Sequence, residues 1–200
     1  MNELEEKGFV FVGEVMALDL INTVKIVRGK QQDLLQTPVD LTDWWDIARQ
    51  HHPEMDMSQA ARRGFDNRLV ESVKGLRDQL RQLFIRVIEG PALSNTDVGF
   101  LNAILRGVHP AVEWPANDAP HMHYVHDDPA AHVPVSVALS ALYMLTSADL
   151  SRLRRCHNNR CILLFYDTTK SATRQWCSTA CLERERSARR YEEKKRLSES

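Results

Sequence analysis

Cys156-His157-Asn158-Asn159-Arg160-Cys161 and, after a gap of 15 residues, Cys177-Ser178-Thr179-Ala180-Cys181 decide how the end of this chain folds. They hold the only four cysteines in 200 residues, in a C-x4-C-x15-C-x3-C arrangement. Zinc takes four thiolates in a closed tetrahedron, and two close pairs separated by a loop let a short chain supply them without strain. Cys156, Cys161, Cys177 and Cys181 are therefore the expected metal ligands, and Zn2+ the expected cofactor. Two disulfides would need an oxidising compartment, whereas the start of the chain, Met1 to Lys7, is acidic and no apolar signal segment follows it. Reactive thiols are the other, weaker alternative. His157, inside the first knuckle, reads as a bystander beside four thiolates. A tetrathiolate zinc carries a charge of about −2, which Arg154, Arg155, Arg160 and Arg174 are close enough in sequence to offset.

Between the two pairs, Ile162 to Asp167 reads as a strand, followed by a polar turn and a second short strand within Thr168–Trp176. The second pair opens a helix from about Ser178 to Arg196. Knuckle, hairpin and helix together predict a treble-clef-like zinc module.

The composition is that of a globular protein, with 43% hydrophobic and 26% charged residues, and its apolar runs are too short to span a bilayer. The net charge of −1 conceals two unlike parts. Residues 1–150 carry 13 Lys and Arg against 21 Asp and Glu, whereas residues 151–200 carry 13 against 6. Clustered cations on one module are the electrostatic footprint of a phosphate backbone. A module of about 45 residues is near the size at which a core alone stops sufficing, so metal is the expected source of its stability. The reading is two domains, 1–150 and 151–200, with no linker or repeat between them.

The first domain reads as mostly helical. Phe9 to Gly13 is strand-like, and Val15 to Val24 leans helical. A helix capped by Asp40 or Thr42 carries Trp44, Trp45 and Ile47 and ends near His51-His52-Pro53. Leu69, Val73, Leu76, Leu80, Leu83 and Val87 recur at steps of three and four, one face of a helix from Asp66 to Glu89 that Gly90-Pro91 ends. Ser94 to Leu105 predicts a shorter helix with Asp97 at the capping-box position. Gly107 to Pro120 reads as loop, His121 to His126 as a strand, Pro134 to Leu145 as a helix, and Asp149 to Arg154 as a short helix. His121 and His123 share a strand face and invite a metal hypothesis. With no third ligand fixed in sequence, that hypothesis is weaker than an ordinary strand. Trp44-Trp45 and the 69-to-87 stripe are expected core.

This combination resembles the bacterial CGNR zinc-finger proteins, whose N-terminal part is called the ABATE domain and is regarded as a stress-induced transcription regulator. The resemblance covers nearly the whole chain. Leu18-Asp19-Leu20-Ile21-Asn22-Thr23 is similar to the family's LDFxNT segment. Asp33-Leu34-Leu35, Pro38 and Asp40 to Trp45 resemble its D-L-L and P-x-D-L, W segment, and Leu76 to Phe84 its central helix. Leu145-Thr146-Ser147, Leu150, Leu153 to Cys156, Phe165-Tyr166-Asp167 and Arg174 to Ser178 continue in order. The departure falls on the name-giving tetrad, which here is Cys181-Leu182-Glu183-Arg184. The second cysteine pair is also one residue closer than is usual in the family. The ligand and the arginine carry over, while Glu183 repels a phosphate.

On the terminal helix, Glu185–Arg189 and Glu192–Arg196 have the favourable i,i+4 order. Arg186, Arg190 and Lys194 have no acidic partner a full turn upstream. Together with Lys170, Arg174 and Arg184 they are the candidate nucleic-acid contacts.

The expectation is thus an α+β, mostly α protein: a helical N-terminal domain with a few strands and a C-terminal treble-clef-like zinc module. The resemblance implies a cytoplasmic transcription regulator that contacts DNA through the zinc module. Its N-terminal domain would sense a small-molecule effector or mediate association, for instance as a homodimer. No phosphate-cradling glycine loop or nucleophile motif points to an enzyme. One rival is a protein-interaction module with purely structural zinc. Another is an enzyme in which Asp19, Asn22 and the histidine strand converge on a pocket.

Overall fold

The computed structural model describes residues 4–12, 14–55, 64–90, 93–115 and 119–198. Gly13 and Pro91, expected at element ends, lie outside them. The chain opens with a ribbon, β1 (Leu4–Glu6) against β2 (Phe9–Phe11), then α1 (Met16–Ile21). A second ribbon, β3 (Val24–Val27) with β4 (Lys30–Asp33), precedes α2 (Pro38–His51), α3 (Asn67–Glu89) and α4 (Gly99–Ile104). The third ribbon is β5 (Val108–Glu113) with β6 (His121–His126), followed by α5 (His132–Ser147). The last is β7 (Leu153–Arg155) with β8 (Leu164–Tyr166), and α6 (Thr179–Ser198) closes the chain. Among the described residues the four antiparallel ribbons are separate two-stranded sheets, and most of the remainder is helical, as expected for a mostly α protein.

The helices begin and end where side chains satisfy their terminal backbone groups. Thr37 caps α2: its hydroxyl accepts from the Asp40 amide, and Asp40 accepts from the Thr37 amide at 2.8 Å. Asp40 and Thr42, expected as caps, are inside the helix. Pro38 in the first turn explains the shift, because its ring presets φ and needs no donor. Asp66 caps α3, and Gly90 ends it at φ 87, a left-handed conformation that glycine alone adopts without a Cβ clash.

The core gathers around α1, every residue of which is buried. Trp44, Val73, Leu80, Phe84, Val133, Val137 and Met144 close over it from α2, α3 and α5. The Trp pair is core, as expected, and so is the α3 stripe from Val73 to Leu83, while its ends, Leu69 and Val87, are half-buried against it.

Four expectations are corrected. Residues 108–113 form β5 rather than loop, since Pro110 tolerates the edge of a two-stranded ribbon, where it pairs with Tyr124. Asp149–Arg154 is a single 3-10 turn, Leu150–Arg152, followed by β7. The partner of β8 is that upstream strand and not a segment within 168–176, because β8 finds its register across the knuckle at Leu153–Tyr166 and Arg155–Leu164. Likewise α4 is shorter than Ser94–Leu105, with Ser94 and Asp97 forming a turn ahead of it.

The polar residues of the sequence 18–23 are buried and bonded. Asp19 meets His52 Nε2 at 2.7 Å. Thr23 accepts from Arg77, whose guanidinium also makes a two-pronged pair with Asp33 at 2.6 and 2.8 Å. Burial works to raise the Asp33 carboxyl, but the Arg77 guanidinium and the Leu35 amide outweigh it and hold the group below the usual carboxylate range. Asn22 reaches out of the domain: its amide donates to the Leu164 carbonyl at 2.8 Å and accepts from the Leu164 amide at 3.0 Å. A side chain thus stands where a further strand would pair with β8.

Candidate metal centre

The β7–β8 ribbon carries the first cysteine pair in its connection. Cys156 follows β7, and its amide still bonds Leu163 across the ribbon at 3.0 Å. Asn158 then tightens the knuckle, its carbonyl accepting from Cys161 at 2.9 Å and its side chain from the Arg160 amide at 3.0 Å. The second pair sits at the start of α6, where the Ser178 hydroxyl accepts from the Cys181 amide at 3.0 Å. Asn158 also donates to the Cys181 carbonyl at 3.2 Å, tying knuckle to helix.

The segment between the pairs is organised by buried Asp167, which accepts from the Thr169 amide and hydroxyl and from the Arg174 amide. Arg174 lies over the Phe165 ring, 4.8 Å from its centroid, and donates to the Trp176 and Cys177 carbonyls. Packing therefore replaces the missing strand.

All four cysteines are unpaired thiols whose sulfurs lie within 4.8 Å of one another. Cys161 and Cys177 Sγ are 3.7 Å apart, Cys177 and Cys181 Sγ 3.6 Å. A disulfide needs about 2.05 Å. A zinc tetrahedron with bonds of about 2.3 Å has edges of about 3.8 Å. The sulfur spacing fits the metal. Crowding splits the thiols' acidity: the Cys161 hydrogen bond, then that of Cys177, brings Cys156 down to about 7. Cys161 and Cys177 are pushed up, first by their hydrogen bonds with Cys156. Only a cation lets four such groups ionise together.

Residues 14–148 match the model of the ABATE family, described as "Putative stress-induced transcription regulator", and residues 152–194 match the CGNR zinc finger. The chain belongs to the ABATE family. No curated protein matches it. The CGNR zinc finger and the four-thiolate cluster together make this a Zn2+ site.

The arginine of the CGNR tetrad has a structural contact here: Arg184 donates to Cys181 Sγ at 3.4 Å and to the Ala180 carbonyl. Among the described residues it is thus Arg184, and not Arg154, Arg155, Arg160 or Arg174, that bonds a sulfur. Arg174 and Arg184 both turn into the module. Arg186 has an acidic partner after all, Glu183 at 2.8 Å, because i,i+3 residues also face one another on a helix. Arg190 donates to Ser187, and Arg189 pairs with Glu185 as expected. Lys170 and Lys194 are exposed and have no bonded partner among the described residues.

Asp19 and Asn22, one half of the enzyme reading, are buried and bonded as above. His121 and His123 stand on the β5–β6 ribbon with Glu113, ligand atoms within 4.8 Å. Glu113 lies opposite His121 in the register, a third donor that sequence spacing could not supply while β5 read as loop.

Proposed function

We propose that this ABATE-family chain is a cytoplasmic transcription regulator whose zinc module contacts DNA through α6 and whose helical domain senses a small molecule or mediates association. The observation that carries the reading is α6 itself. Of its 20 residues only Cys181 is buried, so the metal anchors one end and leaves the remainder exposed. Lys170, Arg190 and Lys194 are the foremost phosphate contacts, with Arg186 shared between Glu183 and a phosphate. The closed tetrathiolate site leaves no coordination position for Lewis-acid chemistry, which favours a structural metal over a catalytic one. Among the described residues no helix is long and apolar enough to cross a membrane.

A salt series tests this. Zinc-loaded protein should retain duplex DNA at low salt, and Arg190→Ala and Lys194→Ala should each reduce the slope of log affinity against log salt by about 0.9. Absence of duplex binding at low salt would overturn the DNA reading. A second reading, α6 as a protein contact, draws on Tyr191 and Leu197, which are 71% and 74% exposed on the same helix. Salt-insensitive association lost in Tyr191→Ala would favour it.

A further inference from the structure

Where the β3–β4 ribbon meets the zinc module lies a cavity of about 360 Å³. Lys25 and Arg28 line it from the ribbon, Arg160 and Arg184 from the module, and three of the four metal ligands, Cys161, Cys177 and Cys181, also face it, so the recess opens onto the metal centre; no carboxylate is among its lining residues. Segments more than a hundred residues apart thus deliver four cations to one recess. We propose that this recess is a binding site for a phosphoryl group.

The metal centre does not account for all of that charge. A tetrathiolate zinc carries about −2, so the four cations leave roughly two positive charges over, the charge of a phosphate dianion. Arg184 is held against Cys181 Sγ and Lys25 donates to the Gly8 carbonyl. The guanidiniums of Arg28 and Arg160, by contrast, have no bonded partner among the described residues. Nearby, Arg81 reaches the Ile162 carbonyl from α3 and leaves its buried Nη1 without one.

The position of Arg28 is itself informative. Val27 pairs with Lys30, so Arg28 and Gly29 are the two turn residues of the ribbon, at φ 51 and 80. A turn of this kind favours Asn-Gly or Asp-Gly, because two successive left-handed residues crowd an ordinary Cβ. Arg28 stands where asparagine would strain the backbone less, and a strained residue at a lined recess points to a ligand. The volume is at the small end of ligand sites, enough for a phosphoryl group with a small organic moiety. Each planar guanidinium offers a two-pronged fork that matches two oxygens of a tetrahedral phosphoryl group. The site shares Arg184 with α6 but does not require that α6 bind DNA.

Inorganic pyrophosphate is the probe. Titrated calorimetrically into the zinc-loaded full chain at low chloride, it should bind saturably, one per chain. Arg28→Asn and Arg160→Gln should each weaken it about tenfold, the loss of one charge-assisted hydrogen bond. Arg28→Asn should meanwhile unfold at the same or a higher temperature, since it relieves the turn, which separates ligand contact from folding. Saturable binding absent at millimolar pyrophosphate, or unchanged in both variants, overturns the proposal. Competition then names the source: displacement of duplex DNA by pyrophosphate marks a backbone phosphate, and undisturbed duplex binding marks a phosphorylated small molecule, both through the same site.

Discussion

Helices α5 and α6 are built on opposite principles. Ten of the 16 residues of α5 are buried, including Val133, Val135, Val137 and Met144, whereas α6 buries Cys181 alone in 20. The first is held by apolar area removed from water on nearly every side. The second has almost no core, and a helix of that kind depends on its anchored end and on side-chain pairs along its surface. The N-terminal domain can therefore stand on burial, while the C-terminal module stands on metal and on the few residues that dock it: Leu153 and Leu164, buried in the main core, and the Asn22 bonds to the Leu164 backbone. Because α6 is not needed to fill a core, its surface is available to a partner.

Breaking the metal should expose this contrast most strongly. Structural zinc contributes about 10–16 kcal/mol in small modules. Cys177→Ala should lose its zinc by elemental analysis and leave residues from 156 onward open to protease, with α5 still protected. Next is the buried pair on the other side of the comparison. Arg77→Ala strands Asp33 and should cost about 3 kcal/mol in urea unfolding, with zinc retained. Its pH dependence has a definite sign. The Asp33 carboxyl titrates lower folded than unfolded, so its stabilisation is present above the unfolded value of about 3.9 and fades as pH falls through the folded one. The stability gap between wild type and Asp33→Asn should narrow from pH 5 to pH 3. Removing the dock, Asn22→Ala, leaves the buried Leu164 backbone groups unpaired and should cost about 2 kcal/mol. Thr37→Ala, which deletes the α2 cap, should cost about 1 kcal/mol. Smallest is Arg189→Ala, which loses one exposed pair with Glu185 and should lower α6 helicity only slightly by circular dichroism.

Much of this was legible in the sequence because its signals are local. The 3.6-residue stripe from Leu69 to Leu83 and the four cysteines needed no knowledge of the rest of the chain. What escaped was set at long range or by competing local rules. Pro110 argued against a strand that the ribbon edge tolerates. Thr37 was overlooked because Asp40, its reciprocal partner, is itself a good capping residue. The pairing of β8 with β7 across the knuckle is a choice of register that Leu153-Arg154-Arg155, with one apolar residue in three, does not disclose. Asn22 stood in a motif, yet its role depends on a strand 142 residues away. Arg184 was visible as a cation, but its contact with Cys181 Sγ depends on the first turn of α6.

Amide hydrogen exchange of the zinc-loaded and chelator-treated protein addresses the claim that zinc and Asn22 together hold a module with only a small core of its own, Leu163 and Phe165 beside the cysteines, onto the helical domain. The Leu164 amide, the donor to Asn22, should be strongly protected with zinc and exchange nearly freely without it, together with residues 156–181, while the centre of α5 keeps its protection. Persistent protection of the Leu164 amide in zinc-free protein would contradict the account.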